Sequence, residues 1–239
     1  MLEKLMADTD ARILALDTCT ESCSVALFHQ GQVIAEQADA PREHSQRLLP
    51  MVDSVLSQAC LSLADIDFIA YGRGPGSFTG IRICTSMTQG LALGQDIKVV
   101  GVSTLQAMAQ AAITEHGAKH VLTAIDARMG EVYWAQFVNQ QGFAVLEGKE
   151  AVCAPEAVSY QLAPEDEVYL CGTGFEAYPQ LQNAFARGVI TDSAKLPEAK
   201  YMLPLALTDI AKGLATDVDD LAPVYLRDTV TWKKLPGRE

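Results

Sequence analysis

Residues 121–137 read VLTAIDARMGEVYWAQF, and residues 12–28 read RILALDTCTESCSVALF. In each stretch an apolar run of strand length closes on an aspartate, Asp126 or Asp17. A short turn follows, then a second strand-like run. The spacing from Asp17 to Phe28 equals that from Asp126 to Phe137, and Ala15, Asp17, Ala26 and Phe28 match Ala124, Asp126, Ala135 and Phe137. Both stretches lead into a hairpin turn, His29–Gln32 and Asn139–Gly142, and then a third extended run, Val33–Ala38 and Phe143–Leu146. Further along, each half has a strand running into a glycine loop, Ala70-Tyr71-Gly72-Arg73-Gly74 and Leu170-Cys171-Gly172-Thr173-Gly174, with a helical segment after it. The order of elements repeats as a β-β-β-α-β-α unit. The expected fold class is α/β, with two duplicated lobes.

Hydrophobic spacing marks the helices. Ser45–Cys60 carries Leu48, Leu49, Val52, Val55, Leu56 and Ala59 on one face. Pro50 stands near its start, where it kinks rather than abolishes a helix. Ser77 is placed to cap a helix from Phe78 to Leu93. Thr104–Thr114 and Leu203–Ala215 complete the set, and Ala222–Arg227 reads as extended. The expected division is a flexible leader over 1–11, an N-terminal lobe over 12–113, a C-terminal lobe over 114–200, a helix and extended segment over 201–227 assigned to neither lobe, and a frayed tail over 228–239.

Composition narrows the function classes. The chain has 239 residues, 49% hydrophobic and 20% charged, enough for one or two lobes with sizeable cores. No apolar stretch approaches the roughly 20 residues of a membrane helix, and the acidic N-terminus does not read as a secretory signal. Six cysteines, at 19, 23, 60, 84, 153 and 171, form no C-x-x-C pair. Most lie inside apolar segments and read as reduced core thiols, and the expected location is the cytoplasm. The net charge is −12, and the densest basic cluster is Lys233-Lys234. A protein that grips phosphate backbones by itself shows a basic patch, so any work on nucleic acid is expected to pass through a partner.

The loop Tyr71–Gly80, YGRGPGSFTG, lies between a strand and a helix, where α/β proteins hold phosphates. It lacks the lysine of a P-loop and the spacing of a dinucleotide fingerprint, and Pro75 removes a donor. The adopted reading is a tight strand-to-helix turn. A weak anion site from Arg73, Gly74, Gly76 and Ser77 is the alternative. Asp17 and Asp126 read as turn-stabilising acids rather than as metal- or phosphate-facing groups. His116 and His120, an H-x-x-x-H pair interrupted by Gly117, read as an exposed turn. Nothing nominates a base for Ser22, Ser24 or a cysteine, so no nucleophilic hydrolase is indicated.

With LALDT and SVAL at 14–18 and 24–27, GRGPGSFTGIR at 72–82, GVSTLQAMA at 101–109 and PVYLR at 223–227, the chain resembles the TsaB (YeaZ) family of the machinery that makes threonylcarbamoyladenosine in tRNA. Cys84 stands where the family's second motif has glycine. The resemblance implies the actin-like/sugar-kinase ATPase fold and a catalytic sister subunit, TsaD, whose metal-bearing helix reads roughly H-H-M-E-G-H. Here Thr104 and Met108 occupy the places of two histidine ligands. A hydroxyl and a thioether do not replace imidazoles, so no catalytic residue, no metal and no cofactor is expected. It further implies a heterodimer with a TsaD-like subunit, a TsaE-like ATPase in a larger complex, a homodimer when alone, and tRNA contact only through partners. The resulting expectation is a non-catalytic scaffold. The alternatives are an autonomous ATP-dependent, kinase-like enzyme of the same fold or, behind it, a metalloprotease.

Two helices remain with more apolar or small residues than one buried stripe requires. Gly80, Cys84, Thr88 and Ala92 recur every four residues on Phe78–Leu93, and Leu48, Val52 and Val55 line Ser45–Cys60. They can be buried beneath the protein's own sheet or face outward to dock a partner. The second reading is adopted for these seven residues.

Overall fold

The computed structural model describes residues 9–163 and 165–227. The expected tail over 228–239 and most of the expected leader over 1–11 lie outside the described residues.

The first sheet contains β1 (Ile13–Asp17), β2 (Ser22–His29), β3 (Gln32–Asp39), β4 (Phe68–Gly72) and β5 (Lys98–Val102), in the order β3-β2-β1-β4-β5. The second contains β6 (His120–Asp126), β7 (Val132–Gln140), β8 (Phe143–Cys153), β9 (Val168–Cys171) and β10 (Gly188–Ile190), in the order β10-β9-β6-β7-β8. In both, the first three strands pair antiparallel and the last two parallel. The duplicated unit is therefore a duplication of topology.

The helices are α1 (His44–Gln58), α2 (Phe78–Gln95), α3 (Thr104–His116), two short pieces α4 (Gly174–Ala177) and α5 (Pro179–Asn183), and α6 (Met202–Ala211). Ser77 caps α2 as its position suggested, its Oγ accepting the Gly80 N–H at 3.3 Å. Ser103 caps α3 in the same way. The helix expected to reach Ala215 ends at Ala211: Gly213 turns the chain at φ +73°, and Thr216 then pairs with Val99 on the edge of the first sheet.

Strand alternation sorts the core into layers. Leu14, Leu16, Val25, Leu27 and Ile69 pack with α1 and α2 on one face of the first sheet. Ile13, Ala15, Ala26, Phe28 and Ala70 pack on the other face with Met202, Leu203, Ala206 and Leu207 of α6. In the second lobe, Val121, Ala135 and Phe137 meet Leu105, Met108 and Ala112 of α3. On its far face, Leu122, Ala124 and Leu170 meet Phe175 and Leu181.

Two expectations need correction here. The boundary at 113/114 leaves α3 with the first lobe, whereas most of its buried side chains belong to the second lobe's core and Ala107 alone of its apolar residues packs with the first sheet's cluster. Conversely α6, assigned to neither lobe, packs on the first sheet. An amphipathic pattern reveals that a helix buries a face, not which sheet covers it.

Equal spacing in the two quoted stretches also conceals a shift. Ala15 pairs with Ala26, but Ala124 pairs with Trp134, one residue short of Ala135. A one-residue slip moves every side chain to the opposite face. Ala135 and Phe137 thus lie on the opposite face of their sheet from Ala124, whereas Ala26 and Phe28 share the face of Ala15. The displacement is followed by an irregularity between Trp134 and Gln136 in the pairing with β8.

A candidate interlobe cleft

The ends of β1 and β6 come together at a cleft of about 590 Å³ between the lobes. Its walls include Cys19–Glu21 after β1, Pro75–Phe78 before α2, Ile125–Arg128 after β6, and the C-terminal run Val224–Arg227.

The two strand-terminal acids differ. Asp126 lines the cleft, but its oxygens are occupied: Oδ1 accepts the Arg128 N–H at 2.8 Å and the Tyr178 hydroxyl at 3.2 Å, and Oδ2 takes the Arg128 guanidinium at 3.1 Å. Asp17 is fully buried beneath the cleft. Its Oδ1 accepts the Cys19 N–H at 2.9 Å, the turn-stabilising bond its position suggested. Its Oδ2 has no partner, nor does the nearby Thr104 hydroxyl. Burial pushes the Asp17 pKa up from 3.8 to about 6, and the Cys19 hydrogen bond works against that rise.

The glycine loop turns its polar groups inward. The Ser77 N–H donates to the Cys19 carbonyl at 2.7 Å, and the Arg73 N–H donates to that of Val102 at 2.9 Å. The Arg73 guanidinium is spent on Glu150 at 3.3 Å, and Ser103 binds the other oxygen of Glu150. Gly76 leaves no space: a Cβ there would lie 2.1 Å from the Cys19 carbonyl oxygen. Gly74 has φ +96° and precedes a cis Pro75. Of the weak anion-site candidates, Arg73 is neutralised by a carboxylate that sequence reading did not single out, and the Ser77 amide is already committed. The loop is built as a close-packed turn.

Thr104 and Met108, which the resemblance sets against the sister subunit's histidine ligands, are completely buried in α3. A Cβ on Gly172 would lie 3.0 Å from Met108 Cε, so the thioether fills packing space. This donor set does not fit a catalytic metal. Among the described residues, no group of three or more His, Cys, Asp or Glu side chains gathers in metal-binding geometry. His116 and His120 part company rather than sharing an exposed turn. His116 ends α3, its Nε2 within 2.9 Å of both Thr191 and Ser193, while His120 opens β6 with both ring nitrogens buried and unpaired.

Burial raises the thiols of Cys23 and Cys171 to about 12, which removes them as nucleophiles. All six cysteines are free; Cys19, Cys23, Cys84 and Cys171 are buried, Cys153 is half-buried and Cys60 is exposed.

The seven proposed interface residues are corrected. Leu48, Val52, Val55, Gly80, Cys84, Thr88 and Ala92 are all buried within the chain's own first lobe. Cys84 donates its thiol to the Leu16 carbonyl at 3.4 Å, and a Cβ on Gly80 would lie 2.1 Å from the Thr18 carbonyl oxygen. The small residues let α2 approach its own sheet. The outward side of α2 instead presents Phe78 (57% exposed), Arg82, Ser86, Gly90, Leu93 (65% exposed) and Gly94. A Cβ on Gly90 or Gly94 meets nothing within 4 Å. A second stripe of small residues four apart, Ser86-Gly90-Gly94, runs along the sequence with the same period as the first.

Comparison with known proteins agrees with this architecture. The family model of TsaD, tRNA N6-adenosine threonylcarbamoyltransferase, matches residues 30–235. The tRNA threonylcarbamoyladenosine biosynthesis protein TsaB of Escherichia coli K12 is 49% identical over 230 residues, covering 95% of this chain and 100% of that one. Its namesake from Haemophilus influenzae Rd is 44% identical, over 95% and 98%. The solved structure of YeaZ from Pseudomonas aeruginosa superposes with a TM-score of 0.85 at 44% identity, covering 90% of this chain and 100% of that one. With two lobes of repeated topology, an inward-turned glycine loop and this likeness along nearly its whole length, the chain belongs to the TsaB (YeaZ) family and has its two-lobed fold.

Proposed function

We propose that this protein is a non-catalytic scaffold subunit of the machinery that forms threonylcarbamoyladenosine next to the anticodon of tRNAs. It binds and supports a TsaD-like catalytic subunit, with a TsaE-like ATPase in the larger complex. tRNA is held through those partners, consistent with a net charge of −12. The observation that carries this reading is the burial of Thr104 and Met108 where the catalytic sister has metal ligands. The committed amide of Ser77 and the Arg73–Glu150 pair support it against the autonomous ATP-dependent enzyme.

The docking face is the outer side of α2. Exposed Phe78 and Leu93 supply apolar area, and Ser86, Gly90 and Gly94 let a partner helix come close. The same face serves the homodimer of the isolated protein. Gly90→Arg tests this cleanly. Nothing inside the chain contacts that position, and leaving glycine in a helix interior gains up to about 1 kcal/mol. A charge trapped in a close helix–helix contact costs several kcal/mol, at least about a hundredfold in affinity.

Size-exclusion chromatography with a TsaD-like subunit is expected to show co-elution for the parent and none for Gly90→Arg. Reconstituted tRNA modification is expected to require the parent. Modification at full rate without this chain, or ATP turnover by the chain alone, would refute the scaffold reading. Co-elution of Gly90→Arg would move the docking face.

A further inference from the structure

Beyond the docking face, we infer that the C-terminal segment Ala222–Arg227 is a clasp that holds the interlobe cleft shut, and that Arg227 is its latch. The segment is tied to both lobes. On the first, Ala222 donates its N–H to the Tyr71 hydroxyl at 3.2 Å, and Val224 donates to the Arg73 carbonyl at 2.7 Å. The Tyr225 ring lies 5.7 Å from that of Phe78 at the start of α2.

On the second lobe, Arg227 enters the turn Ala127–Glu131 that follows Asp126. Its Nη1 donates to the Ala127 carbonyl at 3.1 Å, its Nη2 to that of Arg128 at 3.3 Å, and its Nε to Glu131 Oε2 at 3.1 Å. The side chain is only 16% exposed, so these bonds escape most solvent competition. The planar fork of a guanidinium suits this arrangement of one carboxylate and two carbonyls, which a lysine could not satisfy.

The turn it grips needs support. Arg128 and Met129 are both left-handed, at φ +61° and +60°, ahead of Gly130 at +80°. Consecutive non-glycine residues rarely adopt that conformation unless surrounding contacts impose it. Arg128 from the same turn also reaches Glu21 of the first lobe at 3.3 Å, but both side chains are well exposed, which makes this a weak bridge. The buried grip of Arg227 therefore closes this side of the cleft, alongside the Arg73–Glu150 pair that also joins the two lobes. The two segments the clasp joins both contribute to the cleft wall, through Ala127 and Arg128 on one side and Pro75 to Phe78 on the other. Release of the latch frees the Ala127–Glu131 turn and the Arg73–Phe78 loop together and opens the space between them.

Hydrogen exchange followed by mass spectrometry on the full chain tests this. Arg227→Ala is expected to speed exchange at least about tenfold in peptides covering 125–133 and 73–80, leaving those from β2 and α3 unchanged. Glu131→Gln, which keeps both carbonyl bonds to Arg227, is expected to give a smaller acceleration in the same two segments. Unchanged exchange there in both variants, acceleration in only one of the two segments, or equal acceleration in β2 and α3 would overturn the clasp.

Discussion

Replacing Asp17 by asparagine is expected to stabilise the protein, by an amount that depends on pH in a defined way. The carboxylate sits at the end of β1 with no exposure, one oxygen bonded to the Cys19 N–H and the other unpaired. Burial raises its pKa from 3.8 to about 6. Below pH 3.8 the folded and unfolded chains both hold the proton, and the site costs nothing. Between 3.8 and 6 the folded state holds it more tightly, so stability falls as pH rises, and the loss is complete once pH exceeds the folded value. About two pH units at 1.36 kcal/mol each gives a cost of about 3 kcal/mol at pH 7, of which about half is already present at pH 5. Asparagine keeps the acceptor for Cys19 and never ionises. Its extra N–H shifts the whole curve by a constant and leaves the slope alone. Urea unfolding of both proteins from pH 5 to 8 is expected to show the variant's advantage widening by about 1.4 kcal/mol and levelling off above pH 7. A difference that stays flat, or narrows toward high pH, would refute the assignment of a buried, strained carboxylate.

Three further outcomes are expected. Thr88→Arg, at a position with no exposure, should lower the unfolding free energy by several kcal/mol in a thermal or urea melt, whereas Gly90→Arg on the opposite side of α2 should not. Equal melts for the two would mean that α2 is rotated from the orientation described. Gly80→Ala would press a methyl to within 2.1 Å of the Thr18 carbonyl oxygen, and should lower the melting temperature by at least about 5 °C, whereas a Gly94→Ala control should not lower it. Isolated protein, with net charge −12, should show no submicromolar tRNA binding in a gel shift at physiological salt; a retarded band at that concentration would assign it a direct contact.

Much of the fold was written locally. The two aspartate-ended strands, the hairpin turns after Phe28 and Val138, the glycine loops and the Ser77 cap are short-range features. They settled the α/β class, the duplication and the order of elements along the chain. What the sequence left open depended on contacts between distant segments. Gly80, Cys84, Thr88 and Ala92 and the stripe Ser86-Gly90-Gly94 have the same four-residue period, and periodicity alone does not say which stripe meets β1. The lobes against which α3 and α6 pack, and the one-residue shift of β7 against β6, were hidden for the same reason. Asp17 and Asp126 end equivalent strands, yet one is sealed beneath Gly72 and the other is tied to Arg128 at the cleft wall. Arg73 looked like a free cation until β8 brought Glu150 beside it, and Arg227 looked like the end of an extended run until it met a turn 96 residues earlier at Glu131. Patterns along a chain determine which side chains must be covered, whereas the packing of remote elements determines what covers them and which charges are left without a partner.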